Sequence, residues 1–166
     1  MSTTILFVCT GNTCRSIMAQ GMFEKMLKEK IENSCRYSIQ SAGIFAISGM
    51  SPTSEAITVM FEQGIDISQH QARPLREDLV KKADLILVMA NEHIEYIKRR
   101  FPFAQNKVFF IKKYAQKDKF KNIQKNDRNY EIVDPIGRPI EFYRIVAREL
   151  KENLEKIIDK IIEEDI

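Results

Sequence analysis

Apolar positions along the chain switch between two periods, and the switches divide it into alternating strands and helices. Thr4 to Val8 is a short apolar run that ends at a turn containing Gly11 and Asn12. Beyond the turn, Ile17, Met18, Met22, Phe23, Met26, Leu27 and Ile31 recur at helical spacing. Tyr37 to Ala42 alternates as a strand whose end is marked by Ser41-Ala42-Gly43, and Pro52 through Phe61 reads as a helix stopped by Gly64. Leu85-Ile86-Leu87-Val88-Met89 is apolar at every residue, which suits a strand covered on both faces. Asn91 stands where an N-cap would open a helix through Tyr96, Ile97 and Arg100, and Lys107 to Ile111 gives a fourth strand. A long amphipathic helix starts near Pro139, with Phe142, Ile145, Val146, Leu150, Leu154, Ile157, Ile158, Ile161 and Ile162 as one apolar stripe. Lys117 to Tyr130 is polar, lysine-rich and weakly periodic, and is expected to be a surface loop with little structure of its own.

Strands that alternate with helices define the α/β class. They predict a parallel sheet with helices on both faces, a three-layer, doubly wound arrangement joined by right-handed crossovers. No repeat or linker interrupts the pattern, so one domain spanning 1–166 is expected, and 44% apolar residues suffice for its core. A net charge of +3 on a chain with 30% charged residues is too small an excess to argue for nucleic acid or an anionic membrane. No apolar run reaches the length of a membrane span, and Met1-Ser2-Thr3-Thr4 leads into the first strand without a basic segment or cleavage site. Three cysteines, Cys9, Cys14 and Cys35, are too few for a disulfide scaffold. A cytoplasmic protein is therefore expected, with Cys35 a plain buried thiol.

The chemistry sits at the first strand-helix junction. In a doubly wound sheet, ligands bind beyond the carboxyl ends of the strands, where helix N–H groups point outward. Cys9-Thr10-Gly11-Asn12-Thr13-Cys14-Arg15 occupies that place. A thiol there meets the positive end of the helix dipole, backbone donors and the Arg15 guanidinium, all of which favour thiolate over thiol. Five residues between Cys9 and Arg15 suffice to curl around a tetrahedral anion, with sulfur beneath it and a planar fork for its oxygens. Gly11 and Asn12 tolerate positive φ, and Ser16 can donate a hydroxyl to the sulfur.

These residues resemble the low-molecular-weight protein phosphatases, whose signature is a Cys, five residues and Arg-Ser at the first strand-helix junction. The likeness extends over Ser41-Ala42-Gly43, Gly64-Ile65-Asp66-Ile67-Ser68, His70-Gln71-Ala72-Arg73, Ala83-Asp84-Leu85-Ile86-Leu87-Val88-Met89 and Asp134-Pro135. It implies a four-stranded sheet of order 2-1-3-4, a phosphocysteine intermediate, and phosphate held by residues 10 to 16. It also implies a general acid at Asp134, which taken alone would be a plain Asp-Pro turn. Asn12, Ser16, Ser41 and His70 match the family's supporting hydrogen-bond network, whereas His93 has no match and is expected on a helix surface. The resemblance further implies that Cys14 can pair with Cys9 and protect it from irreversible oxidation. No metal or cofactor is implied; the partners are phosphorylated proteins, and the chain is expected to be a monomer or weak dimer.

Tyrosine-directed members commonly carry aromatic residues after the Asp-Pro and a branched aliphatic where Thr13 stands. Ile136-Gly137 and Thr13 stand here instead, which moves the likeness toward the bacterial protein arginine phosphatases. A phosphoguanidinium is planar and cationic, so the Thr13 hydroxyl and Asp134 carboxylate offer it polar partners, and Phe45 an apolar wall. Phosphotyrosine is the alternative substrate. An arsenate reductase would need further cysteines late in the chain, and none follows Cys35. A phosphocysteine carrier has no use for Arg15 together with Asp134, and a binding module none for an intact nucleophile and acid. The basic residues between 112 and 128 read as a solvated face.

Overall fold

The structure is a computed structural model that describes residues 2–116 and 128–164. It contains the strands β1 (Thr3–Cys9), β2 (Tyr37–Gly43), β3 (Leu85–Val88) and β4 (Val108–Phe110). The helices are α1 (Arg15–Lys30), α2 (Ser54–Glu62), α3 (Glu77–Lys82), α4 (Asn91–Arg100), α5 (Ile111–Tyr114) and α6 (Ile140–Glu164). All strand pairs are parallel and the order is β2-β1-β3-β4. The expected four-stranded 2-1-3-4 sheet is therefore present. β1 lies between β2 and β3, so the connections leave it in opposite directions and open a crevice beyond its carboxyl end.

Alternation along β1 sends Ile5 and Phe7 to one face and Leu6 and Val8 to the other, and all four are buried. The first pair joins a core formed with α1, α2, α5 and α6; the second joins a core formed with α3 and α4. Three layers follow directly from that division of one strand. Among the described residues no helix is long and apolar enough to cross a membrane.

Several expectations need correction. The buried stripe of α6 is Tyr143, Val146, Ala147, Leu150, Leu154, Ile157 and Ile158, while Phe142 and Ile145 are 39% and 53% exposed. These two lie one step around the helix from the face against α1, and Phe142 stacks instead under the Arg138 guanidinium at 5.0 Å. Asn91 is the first residue of α4 rather than its cap: Ala90 takes the cap position, and the Glu131 carboxylate accepts the Asn91 N–H at 3.1 Å. The second helix starts at Ser54, because the Thr53 hydroxyl accepts the Ala56 N–H at 3.3 Å. β4 stops at Phe110 because Ile111 turns directly into α5. Cys35 is exposed in a single helical turn, Ser34–Arg36, where its thiol meets Asn33 Oδ1 at 2.6 Å. Of the expected loop from Lys117 to Tyr130, residues 117–127 lie outside the described residues, and Arg128–Tyr130 is a short 3-10 turn.

Candidate active site

β1 ends at Cys9 and α1 begins at Arg15, so the intervening residues must reverse the chain around the crevice. Asn12 makes this turn with φ 56, while Gly11 has no positive φ; the special backbone geometry falls on Asn12 alone of the two. The turn brings the Asn12 N–H within 3.3 Å of Cys9 Sγ. Ser16 Oγ lies 2.8 Å from the same sulfur and accepts from Asn12 Nδ2 at 2.8 Å. The Ser16 hydroxyl can turn its proton toward the sulfur, so it and the Asn12 N–H are the two donors open to an anionic Cys9. No side chain caps the N-terminus of α1, so its first N–H groups also stay directed at the loop.

The loop is fastened from behind through one amide. Asn12 Nδ2 donates to Ser41 Oγ at 3.0 Å, and Ser41 donates on to Gln20 Oε1 at 2.6 Å. Asn12 Oδ1 accepts from the Arg73 N–H and from His70 Nε2, both at 3.1 Å. Burial pushes the His70 pKa down, which favours a neutral ring. Asn12, Ser16, Ser41 and His70 thus meet as expected, and Gln20 and Arg73 complete a network that their sequence positions did not announce. Gly43 has a steric reason: a Cβ there would lie 2.4 Å from the Thr10 carbonyl oxygen and 2.9 Å from the Asn12 nitrogen. β2 can therefore approach the loop closely enough for Phe45 N–H to bind Thr10 O at 2.9 Å.

Arg15 closes the loop while only 3% exposed. Its Nη1 donates to Ile132 O at 2.9 Å, and its Nη2 donates to Thr10 Oγ1 at 3.4 Å and lies 3.5 Å from Asp134 Oδ2. The Ile132 N–H in turn binds Met89 O at 2.7 Å, which ties the segment carrying Asp134 to the end of β3. Asp134 Oδ1 accepts the Ile136 N–H at 3.1 Å, an Asx turn that fixes the carboxylate while leaving it 42% exposed. Arg15 and the Asp134 carboxylate thus meet beside the loop that begins at Cys9.

The remaining expected residues divide. Thr13 is buried, its hydroxyl 3.8 Å from Cys14 Sγ. Phe45 and Ile136 are exposed, and Phe45 packs edge-on against Tyr96, with centroids 5.7 Å apart. Cys14 is buried beside the hydroxyls of Thr53 at 3.5 Å and Tyr143 at 3.7 Å. Burial pushes its thiol up despite those hydrogen bonds, so it rests protonated.

His93 overturns its expected place on a helix surface. It is 0% exposed, with Nδ1 accepting the Ala90 N–H at 3.0 Å and Nε2 3.0 Å from Thr10 Oγ1. Desolvation, with Arg15 nearby, lowers its pKa to about 3. Helical spacing from Ile94 and Ile97 puts position 93 within the inward-facing arc, and that is the signal a polar residue type concealed.

A model of the low molecular weight phosphotyrosine protein phosphatases matches residues 4–165. The chain belongs to this family. Within it, the chain is 33% identical over 157 residues to a protein-arginine-phosphatase of Bacillus subtilis, covering 95% of each. A solved structure of a low molecular weight protein tyrosine phosphatase from T. tengcongensis shares 39% identity and a TM-score of 0.82, covering 96% of this chain and 99% of that one. A structure of the YwlE arginine phosphatase, a Cys-to-Ser mutant with a phosphorylated active site serine, also gives 0.82, at 33% identity and coverage of 96% and 95%.

Proposed function

We propose that the protein hydrolyses phosphorylated side chains of proteins through a phosphocysteine on Cys9, with phosphoarginine the favoured substrate. The observation that carries the mechanism is the placement of Arg15 between the loop and Asp134, its Nη2 3.5 Å from the carboxylate and the Cys9 sulfur at the loop base. Cys9 Sγ attacks phosphorus in line while the loop N–H groups and Arg15 hold the equatorial oxygens. As the S–P bond forms, the P–N bond to the substrate guanidinium breaks, and Asp134 gives its proton to the leaving nitrogen. Water then attacks phosphorus, Asp134 takes its proton, the S–P bond breaks and phosphate leaves with the thiolate restored. The phosphorylated active-site serine in the mutant YwlE structure supports such a covalent route.

Preference for phosphoarginine rests on polarity. A departing guanidinium is cationic, and Asp134 offers it a carboxylate at the mouth, while Ile136-Gly137 supplies no aromatic clamp after Pro135. The protein-arginine-phosphatase relative supports the same reading. Phosphotyrosine remains a second reading because the exposed Phe45, packed against Tyr96, offers one apolar wall to a phenyl ring. The deciding experiment compares kcat/KM on phosphoarginine and phosphotyrosine peptides in the wild type and in Thr13→Ile. A higher value on phosphoarginine that falls in the variant is expected; a wild type that favours phosphotyrosine overturns the assignment. Cys14 stands ready as the protecting partner of Cys9, a role tested by recovery of a Cys14→Ala variant from peroxide with reductant.

A further inference from the structure

His93 is fully buried, lies outside the loop, and takes no part in the steps above, yet its hydrogen bonds lead to Arg15. The Ala90 N–H is a donor, so Nδ1 must be an acceptor and carry no proton. A neutral ring then has its proton on Nε2, and that N–H donates to Thr10 Oγ1 at 3.0 Å. The pKa of His93, lowered to about 3 by burial first and by Arg15 second, keeps the ring in that single form. Thr10 Oγ1 also accepts from Arg15 Nη2 at 3.4 Å, so both lone pairs are engaged and its own proton is left for Glu92 Oε1 at 3.2 Å. Every rotor in the chain is determined. Swapping the ring tautomer would strand the Ala90 N–H, and turning the hydroxyl would set its proton against the Nε2–H or the guanidinium.

We propose that His93 is a positioning residue for Arg15: its Nε2–H fixes the Thr10 hydroxyl with a lone pair facing Nη2, holding the guanidinium in register for the phosphate oxygens. Neutrality suits the task, because an imidazolium at this place would repel the cation it orients. Glu92 serves as the acceptor that removes the Thr10 proton from the side facing Arg15. Because Arg15 is also held by Ile132 O, loss of His93 loosens the fork without freeing it. The inference rests on Arg15 being the phosphate clamp.

The test measures the affinity of inorganic tungstate by calorimetry, together with kcat and KM on p-nitrophenyl phosphate. His93→Asn keeps an acceptor near the Ala90 N–H but removes the donor to Thr10, and tungstate affinity should fall roughly five- to tenfold, the worth of about one hydrogen bond. His93→Gln, whose amide reaches toward Thr10, should recover most of the loss. Thr10→Val should lose a similar amount, and adding His93→Asn to it should cost nothing more, because the effect travels through that hydroxyl. A folded His93→Asn protein with wild-type tungstate affinity and kcat/KM overturns the proposal, as do losses that multiply in the double variant. If His93→Asn does not fold, Thr10→Ser against Thr10→Val decides: equal tungstate affinity in the two overturns it. A wild type that binds no tungstate would instead overturn the clamp reading itself, which keeps the two failures apart.

Discussion

Asn12 shows how much one residue can carry: it supplies the left-handed turn, an N–H to Cys9, and amide bonds to Ser16, Ser41, His70 and the Arg73 backbone. The nucleophile role proposed for Cys9 has a direct test. Cys9→Ser should abolish turnover while still binding substrate, because a serine hydroxyl ionises less readily for the attack and a serine phosphate ester releases its phosphate far less readily than a phosphocysteine. Asp134→Ala should depress kcat most for substrates with basic leaving groups and least for p-nitrophenyl phosphate, measured across a leaving-group series. A pH effect attaches to His93. Its folded-state pKa, near 3, lies below the ordinary 6.5, so the folded protein keeps the ring neutral while an unfolded chain binds a proton. The stability this linkage contributes is complete above about pH 6.5 and is lost as pH falls from there toward 3. Urea midpoints between neutral and mildly acid pH should therefore decline less steeply in His93→Asn than in the wild type.

At the scale of elements, the segment that carries Asp134 is joined to β3 and α4 rather than hanging free. Ile132 bridges Met89 O and Arg15, and Glu131 satisfies the first N–H of α4, where Ala90 has no side-chain oxygen to do so. Glu131→Ala should cost about 1 kcal/mol of stability, the usual worth of a helix cap, read from the urea midpoint. It should also lower kcat by loosening Asp134, with little change in tungstate affinity. The strands and main helices could be read from the chain because their apolar periods are long and unbroken. Two kinds of element could not. The short helices α3 and α5 hold too few periodic residues, with Val80 and Ile111 their single buried anchors. The inward face of α6 was misplaced at Phe142 and Ile145, where bulk suggested burial but helix phase set exposure. The site followed the same division. Cys9 and Arg15 were legible from motif and chemistry and Asp134 from the family resemblance; helix phase marked His93 as inward-facing although its residue type suggested a surface, whereas Gln20 and Arg73 act through distant partners that no local pattern records.

For the molecule as a whole, the crevice beyond β1 draws on α1, β2, α4 and the segment before α6, so an oxyanion bound there holds four parts of the chain together. Tungstate at about 100 times its dissociation constant should stabilise the fold by about 2.7 kcal/mol, seen as a rise in Tm. Cys9→Ser should keep that rise, and Arg15→Ala should lose it. Beneath the crevice, Cys14 rests against Tyr143 of α6, so the last helix forms part of the floor. Away from it, the Tyr130 hydroxyl meets Gln116 Oε1 at 3.4 Å and its ring stacks on Phe110. Positions 116 and 130 are thus in contact, while Ile132 is secured independently two residues later. From that contact we predict that residues 117–127 can be exchanged for a short bridge between positions 116 and 128. A short glycine-serine bridge in their place should leave kcat/KM on p-nitrophenyl phosphate within about twofold of the parent, since loop-closure entropy changes only slowly with length. The same doorway should accept a foreign peptide, a reporter or an affinity handle without disturbing the chemistry in the crevice.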